Sequence, residues 1–415
     1  MITTQEAKHI ILQNTQNFGI EDIPFMQSAG RVLKEDIVAD RDFPPFNRVA
    51  MDGIAINYSL FKNGQRKFKI EGIQPAGSKQ LSMQQKDNCI EVMTGAVLPN
   101  NCDTVIRYED VDIIDGIATI NVETINDCQN IHQKGKDKKQ GVVLITKNTI
   151  ISPAEIGVIA TVGKATIKVA KQPKVLIIST GDELVDVHET PLDYQIRRSN
   201  VYTLVSLLDK LNISSETRHI PDNKEVLKEK IDSYLQEYDA LLFSGAVSKG
   251  KFDFLPEVLT ELKVEKLFHK VAQRPGKPFW FGFADALDMS EKNVYQNSKN
   301  KKNTVVFAFP GNPVSTFVNC MVYFYPWYKK SVEVQENIQN AILSEDVNFK
   351  PNLTYFLQVK LSYRFGHLIA TPIKGNGSGD LVSLTEADGF IEIPKTEEIE
   401  FTKGSVFPVI TYRDF

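Results

Sequence analysis

The distribution of apolar positions changes character midway along the chain. Before residue 173 the apolar residues alternate with polar ones in short runs such as "KFKIEGIQ" and "IATINVE", with Gly and Asn between them. Alternation of period two predicts half-buried strands, so roughly 45–140 reads as a small β-rich unit. After Pro173 the runs are continuously apolar and stop at glycine: "KVLIIST" before "GDEL", "YDALLFSGAVSKG", and "TVVFAFPGNPVSTFVNCMVYF". Between them, "SNVYTLVSLLDKL" places Val201, Leu204, Leu208 and Leu211 at helical spacing. Buried strands alternating with amphipathic helices predict an α/β domain with a largely parallel sheet over about 173–328. The last stretch returns to short strands ("NLTYFLQVKLSYRFGHLIATPIKG") and predicts a small β-barrel or sandwich.

Local signals fill in the rest. Thr3-x-x-Glu6 forms a capping-box pattern in front of a helix carrying Ala7, Ile10 and Ile11. "PAEIGVIATVG" predicts a second short helix, and "HQKGKDKKQG" a solvated Lys/Gly turn. The polar segment 290–303 lacks periodicity and reads as a surface loop or disordered insertion.

Composition narrows the class. The 415 residues are 42% hydrophobic and 24% charged, with a formal charge of −4, which predicts a multi-domain globular protein with no nucleic-acid coat. No apolar run approaches the length of a membrane span, and the N-terminus lacks the features of a signal peptide, so no membrane partner is expected. Cys89, Cys102, Cys128 and Cys320 are scattered, which argues against a structural zinc site and for reduced thiols in the cytosol.

Candidate chemistry gathers at strand ends. Ser179–Glu183, Ser244–Gly250 and Pro310–Ser315 each follow an apolar strand with glycine and polar or acidic residues. Ligands of open parallel sheets bind at the carboxyl ends of the strands, where glycine lets backbone N–H groups approach an anion. Asn312 as cap and Pro313 at the first helical position suit an oxyanion at a helix start. Arg274 and Lys277 lie in the stiff segment "RPGKP" and supply fixed cations. Asp182, Glu183 and Asp253 are carboxylates beside glycine turns, and acids facing a phosphate site reach it through Mg²⁺; Asp182 alternatively serves a helix N-terminus.

Six motifs in order ("PPFNRVAMDGIAI", "MTGAVLP", "ISTGDEL", "SGAVSKGKFD", "RPGKP", "FPGNPVS") make the chain resemble, over nearly its whole length, the molybdopterin molybdenumtransferases and the related gephyrin E domain. The resemblance implies an enzyme that inserts molybdate into adenylylated molybdopterin with release of AMP, the last step of molybdenum cofactor synthesis. It also implies an L-shaped homodimer of four-domain subunits, with Mg²⁺ as cofactor. Upstream molybdopterin adenylyltransferase and downstream acceptor molybdoenzymes become possible partners.

The implied domains are an elongated one (1–44 with 141–172), the β-rich insert (45–140), an α/β domain related to the molybdopterin adenylyltransferase fold (173–328) and a C-terminal β-barrel (329–415). By the same resemblance Asp52, Glu183 and Asp253 are catalytic acids, the last two holding the metal. Thr94, Arg274, Lys277, Ser315 and Ser378 match its substrate-binding positions, with Arg274, Lys277 and Ser315 around the molybdate, and the strand-end turns add Asp182, Ser248 and Asn312 as binding residues. Gly53 is expected to let the chain turn behind Asp52. The chain departs from the family pattern at Asn47, Val49, His132, Lys136, Ala246 and Gln358, and Arg274 stands for a Lys. An adenylyltransferase-type activity or a low-activity scaffold are the alternatives.

Overall fold

The computed structural model describes residues 1–245, 254–285 and 303–413. They form two compact units: Met1–Asp22 with Gly30–Lys34 and Lys168–Phe415, and Ile23–Ala29 with Glu35–Ile167. The α/β domain and the C-terminal β domain therefore share one unit.

The first unit is built on a six-stranded sheet in the spatial order Ser215–Ile220, Val175–Thr180, Ala240–Ser244, Thr304–Phe309, Trp280–Ala284, Glu265–His269. The first four strands are mutually parallel. All six residues of Val175–Thr180 are buried, because the sheet is covered on both faces. Successive side chains part to opposite sides: Val175 and Ile177 enter the core beneath helix Asn200–Asp209, while Leu176 and Ile178 enter the core beneath helix Lys224–Glu237. The expected parallel sheet is present, with a difference at one edge. Glu265–His269 and Trp280–Ala284 run antiparallel, since the intervening segment returns the chain directly instead of crossing over a helix.

The C-terminal strands close on themselves. Thr354–Arg364, His367–Pro372, Gln339–Leu343, Val406–Thr411 and Gly389–Ile393 pair in that order, and Gly389–Ile393 pairs back onto Thr354–Arg364 with Tyr355 opposite Ile393. Full closure leaves the barrel without a free edge among these strands. The short strand Gln273–Arg274 joins in parallel, with Arg274 opposite Tyr355. That pairing carries an α/β-domain cation to the barrel wall. The N-terminal helix Thr4–Gln13 has the expected reciprocal Thr3–Glu6 capping box and buries Ala7 and Ile11.

In the second unit, six strands lie in the order Thr104–Arg107, Gly53–Ile56, Cys89–Val92, Lys67–Gln74, Ile117–Ile120, Val111–Ile114. Lys67–Gln74 runs parallel to Cys89–Val92, and the remaining neighbours are antiparallel. The helix Pro153–Thr161 forms where expected, with a Ser152–Glu155 capping box. The Lys/Gly stretch is more than a solvated turn. Phe43 N donates to Lys138 O (2.8 Å), Gly135 N to Pro44 O (2.9 Å) and Lys134 N to Asn47 Oδ1 (2.9 Å). The polar side chains face water while the backbone is tied to the Pro44–Pro45 corner. Among the described residues no helix is long and apolar enough to cross a membrane.

Candidate active site

The carboxyl ends of Val175–Thr180, Ala240–Ser244 and Thr304–Phe309 open onto a cleft of about 580 Å³. Its floor is backbone from Gly181, Gly245 and Gly311. Gly181 (φ +126°) and Gly245 (φ +111°) adopt conformations that L side chains rarely take. A Cβ at Gly181 would lie 2.5 Å from Glu183 Oε2, so the glycine allows the Glu183 carboxylate to fold back over the strand end. Glu183 and Asn312 both line this cleft.

Asn312 caps the helix Pro313–Asn319, but its side chain makes no capping bond. Its Nδ2 donates instead to Ser378 Oγ at 2.9 Å, while Val314 N donates to Ser378 O at 3.0 Å. Ser378 thus links the main cleft to a second one of about 300 Å³, lined by Arg274, Tyr355, Gln358 and Ser378 itself. Arg274 and Lys277 are exposed, and neither guanidinium nor ammonium has an ion-pair or hydrogen-bond partner among the described residues. Gln358 is only 9% exposed, yet its Oε1 has no hydrogen-bond partner among the described residues. A buried amide oxygen left unpaired costs on the order of 1–3 kcal/mol, which a donor group of a ligand in the cleft would recover.

The other expected site residues divide. Asp182 does not line the cleft; its Oδ1 accepts from Asp222 N at 3.1 Å, tying two strand ends together rather than capping a helix. Ser315 is 3% exposed and lines neither cleft, because the first helical turn rotates it toward the core. Ser248 and Asp253 lie outside the described residues.

Asp52 and Thr94, far apart in sequence, meet in the second unit. Thr94 N donates to Asp52 Oδ1 at 2.6 Å. The Thr94 backbone amide, and then its hydroxyl, hold the Asp52 carboxyl below the usual aspartate range. Asp52 O in turn accepts from Tyr108 N at 3.1 Å. Gly53 serves a different purpose from the expected turn. It opens a strand pinned between Val92 and Arg107, and a Cβ there would lie 1.8 Å from Ile106 O. His132 sits between Arg48 (Nη2 to Nδ1, 3.2 Å) and Asp137 (Nε2 to Oδ1, 2.8 Å).

Sequence reasoning missed several cleft residues. Arg197, Arg198, Asn200 and Asp222 line the main cleft. Arg198 pairs with Asp186 at 2.5 Å, and Asp186 also accepts from Tyr202 Oη at 2.8 Å. Asn200 Nδ2 donates to Gly311 O at 2.7 Å, bracing the glycine floor. The signal was "RRSN" ahead of a helix, a pair of cations at a predicted helix start. Ser179 Oγ lies 3.0 Å from His219 Nδ1; burial, then Arg198, lowers the His219 pKa below the usual histidine value.

Among the described residues no cluster of three or more His, Cys, Asp or Glu could hold a metal. Glu183 and Asp222 are the carboxylates lining the main cleft.

A parallel α/β sheet with glycine-floored strand ends, a cationic cleft beside it and an appended small barrel define a multi-domain anion- or nucleotide-handling protein. Comparison with known proteins gives the family. Residues 2–163 match the MoeA N-terminal region (domains I and II), 176–330 a probable molybdopterin binding domain, and 340–412 the MoeA C-terminal region (domain IV). The chain is 39% identical over 414 residues to a molybdopterin molybdenumtransferase of Synechocystis sp., covering 98% of this chain and 99% of that one. It is 30% identical over 405 residues to the Staphylococcus aureus (strain Mu50) protein of the same name, covering 95% and 91%. A crystal structure of the Pyrococcus horikoshii molybdopterin biosynthesis MoeA protein superposes with a TM-score of 0.81 at 27% identity, covering 99% of this chain and 100% of that one. The chain belongs to the molybdopterin molybdenumtransferase family, and so to the transferases of molybdenum cofactor biosynthesis.

Proposed function

We propose that this enzyme inserts molybdate into adenylylated molybdopterin, releasing AMP, with Mg²⁺ bound near Glu183 and Asp253. The observation that carries the reading is the Asn312–Ser378 hydrogen bond, which joins a glycine-floored cleft with a carboxylate to an adjoining cleft with Arg274. A nucleotide–pterin phosphoanhydride and a tetrahedral dianion must react side by side, and the two clefts offer one compartment to each.

Molybdate is a dianion, and its transfer out of water requires positive charge and donors. Arg274, which lines the second cleft, supplies charge there, and Lys277, exposed three residues further on and in the lining of neither cleft, adds to it. Ser378 Oγ and the Gln358 amide supply neutral groups in the cleft that Arg274 lines; the amide can turn to present its NH₂. In the main cleft, Arg197 and the exposed backbone of the three glycine turns suit phosphate oxygens. Mg²⁺ would neutralise the phosphoanhydride charge as it is cleaved, with Glu183 contributing a ligand from its position over Gly181. Asp52, ionised and aimed by Thr94, is assigned to a catalytic role across a homodimer, with Thr94 also touching substrate. Ser248, Asp182 and Ser315 are retained as binding or supporting residues, Asp182 through its bond to Asp222.

The test is AMP release from adenylylated molybdopterin and Mg²⁺, with and without molybdate. Molybdate-dependent release, abolished in Asp253→Ala without loss of fold, is expected. Release that ignores molybdate, or ATP-driven synthesis of the adenylylated pterin, would overturn the assignment.

A further inference from the structure

A second basic cleft lies at the other end of the helical run that starts beside the candidate site. The run Pro313–Ser331 spans roughly 28 Å at about 1.5 Å per residue, and its last turn opens onto a cleft of about 360 Å³. Lys34, Lys171 and Lys330 line this cleft, with Glu333 as the one acid among its lining residues. We propose that it is a binding site for a small oxyanion, a phosphate or dicarboxylate, separate from the molybdate and pterin clefts.

The charge is held in place. Lys34 Nζ donates to Val332 O (2.8 Å) and Glu333 Oε2 (3.0 Å), and its side chain is 12% exposed against 65% for Glu333. Lys330 Nζ donates to Leu12 O at 2.9 Å. The Lys171 ammonium has no hydrogen-bond or ion-pair partner among the described residues. Behind the wall, Arg31 Nη2 donates to Ala170 O (2.7 Å) and pairs with Glu21. Three lysines and one acid thus line the cleft, with the Arg31–Glu21 pair behind it.

The neutral groups point the same way. Gln16 N donates to Ser331 Oγ at 3.2 Å, which fixes the residue against the helix end, yet its side-chain Nε2 is buried with no partner among the described residues. Arg31 Nε is likewise buried and unpartnered. Gln16 lines the cleft and Arg31 lies behind its wall, so Gln16 Nε2 is the orphaned donor within reach of a ligand; a buried donor without an acceptor is unfavourable by on the order of 1–3 kcal/mol. An oxyanion supplies the acceptor that Gln16 Nε2 lacks and balances the surplus positive charge of the lining lysines. The rim is rigid: Phe18 packs edge-on against Trp327 at 5.8 Å, and Trp327 Nε1 donates to Asn14 O at 2.9 Å.

Trp327 and Trp280 are the chain's two tryptophans, so Trp280→Phe leaves a single reporter one residue behind the cleft rim. The experiment titrates inorganic phosphate into that protein at constant ionic strength and follows Trp327 emission. A saturable change is expected, at least 5-fold weaker in Lys171→Gln and in Gln16→Leu but unaltered by Arg274→Ala. No saturable change, or equal affinity in all four proteins, would overturn the site. If Trp280→Phe fails to fold, equilibrium dialysis of radiolabelled phosphate against the native chain and Lys171→Gln decides it. Loss of one bound phosphate per chain supports the site, and an unchanged count refutes it.

Discussion

Replacing Gly53 by alanine tests whether the acid at position 52 is positioned by the sheet behind it. The added Cβ would sit 1.8 Å from Ile106 O, 2.7 Å from Ile106 C and 2.8 Å from Arg107 Cα. Each is a backbone atom, whereas an ordinary contact needs about 3.5 Å. No rotamer relieves the clash, so the end of Gly53–Ile56 must move away from Thr104–Arg107. Overpacking of this kind costs about 1–3 kcal/mol. Losing one or two ladder hydrogen bonds adds about 1 kcal/mol each. A total near 3 kcal/mol lowers Tm by roughly 10 °C for a unit of this size, at about 2–4 °C per kcal/mol. Because Asp52 precedes the displaced residue, its bond to Thr94 N should also be lost. The assay is differential scanning calorimetry together with NMR titration of the Asp52 carboxyl. Its pKa is expected to rise toward the ordinary value of about 3.9. A Tm within 2 °C of the native protein, with the Asp52 pKa still low, would refute the argument.

Other outcomes follow from the same geometry. Thr94→Ala should leave most of the Asp52 pKa depression, since the backbone amide is its larger cause; a full return to the ordinary value would contradict this. The sign is that of a depressed carboxylate. The stabilisation is present above the unfolded-state pKa and fades as pH falls through the folded one, so Asp52→Asn should flatten the acid limb of a stability–pH profile. Burial lowers the His219 pKa, so the folded chain binds fewer protons than the unfolded one near pH 6; stability should rise with pH there, and Ser179→Ala with His219→Phe should remove that slope. Arg274→Ala and Lys277→Ala should raise the molybdate KM by at least tenfold at unchanged Tm, as loss of one charge-assisted contact is about 1.4 kcal/mol or more; an unaltered KM would place the anion elsewhere. Cys128 is exposed while Cys89, Cys102 and Cys320 are buried, with burial pushing Cys89 and Cys102 up to about 12. A thiol reagent at pH 8 should therefore label one cysteine in the native protein, and labelling of several would show the cores to be open.

Local sequence determined the elements wherever a single period or cap was enough. The buried run at 175–180, the apolar stripe Val201, Leu204 and Leu208 (Leu211 falls past the helix end at Asp209), the Thr3–Glu6 box and the glycine turns at 181, 245 and 311 were legible, because each depends on residues within a few positions of one another. Ordered motifs also carried the family. Tertiary structure alone decided which of these residues meet. Thr94 reaches Asp52 across 42 positions and Ser378 reaches Asn312 across 66, and no periodicity encodes either contact. Arg274 comes to the barrel because a two-residue strand pairs with Thr354–Tyr355. Tertiary structure also decided that Ser315 is 3% exposed and that Asp182 Oδ1 accepts from Asp222 N, neither of which is written in the local sequence. Backbone preference acts over a few residues, whereas a site is the sum of long-range packing, and packing chose which polar side chains still had an unmet partner.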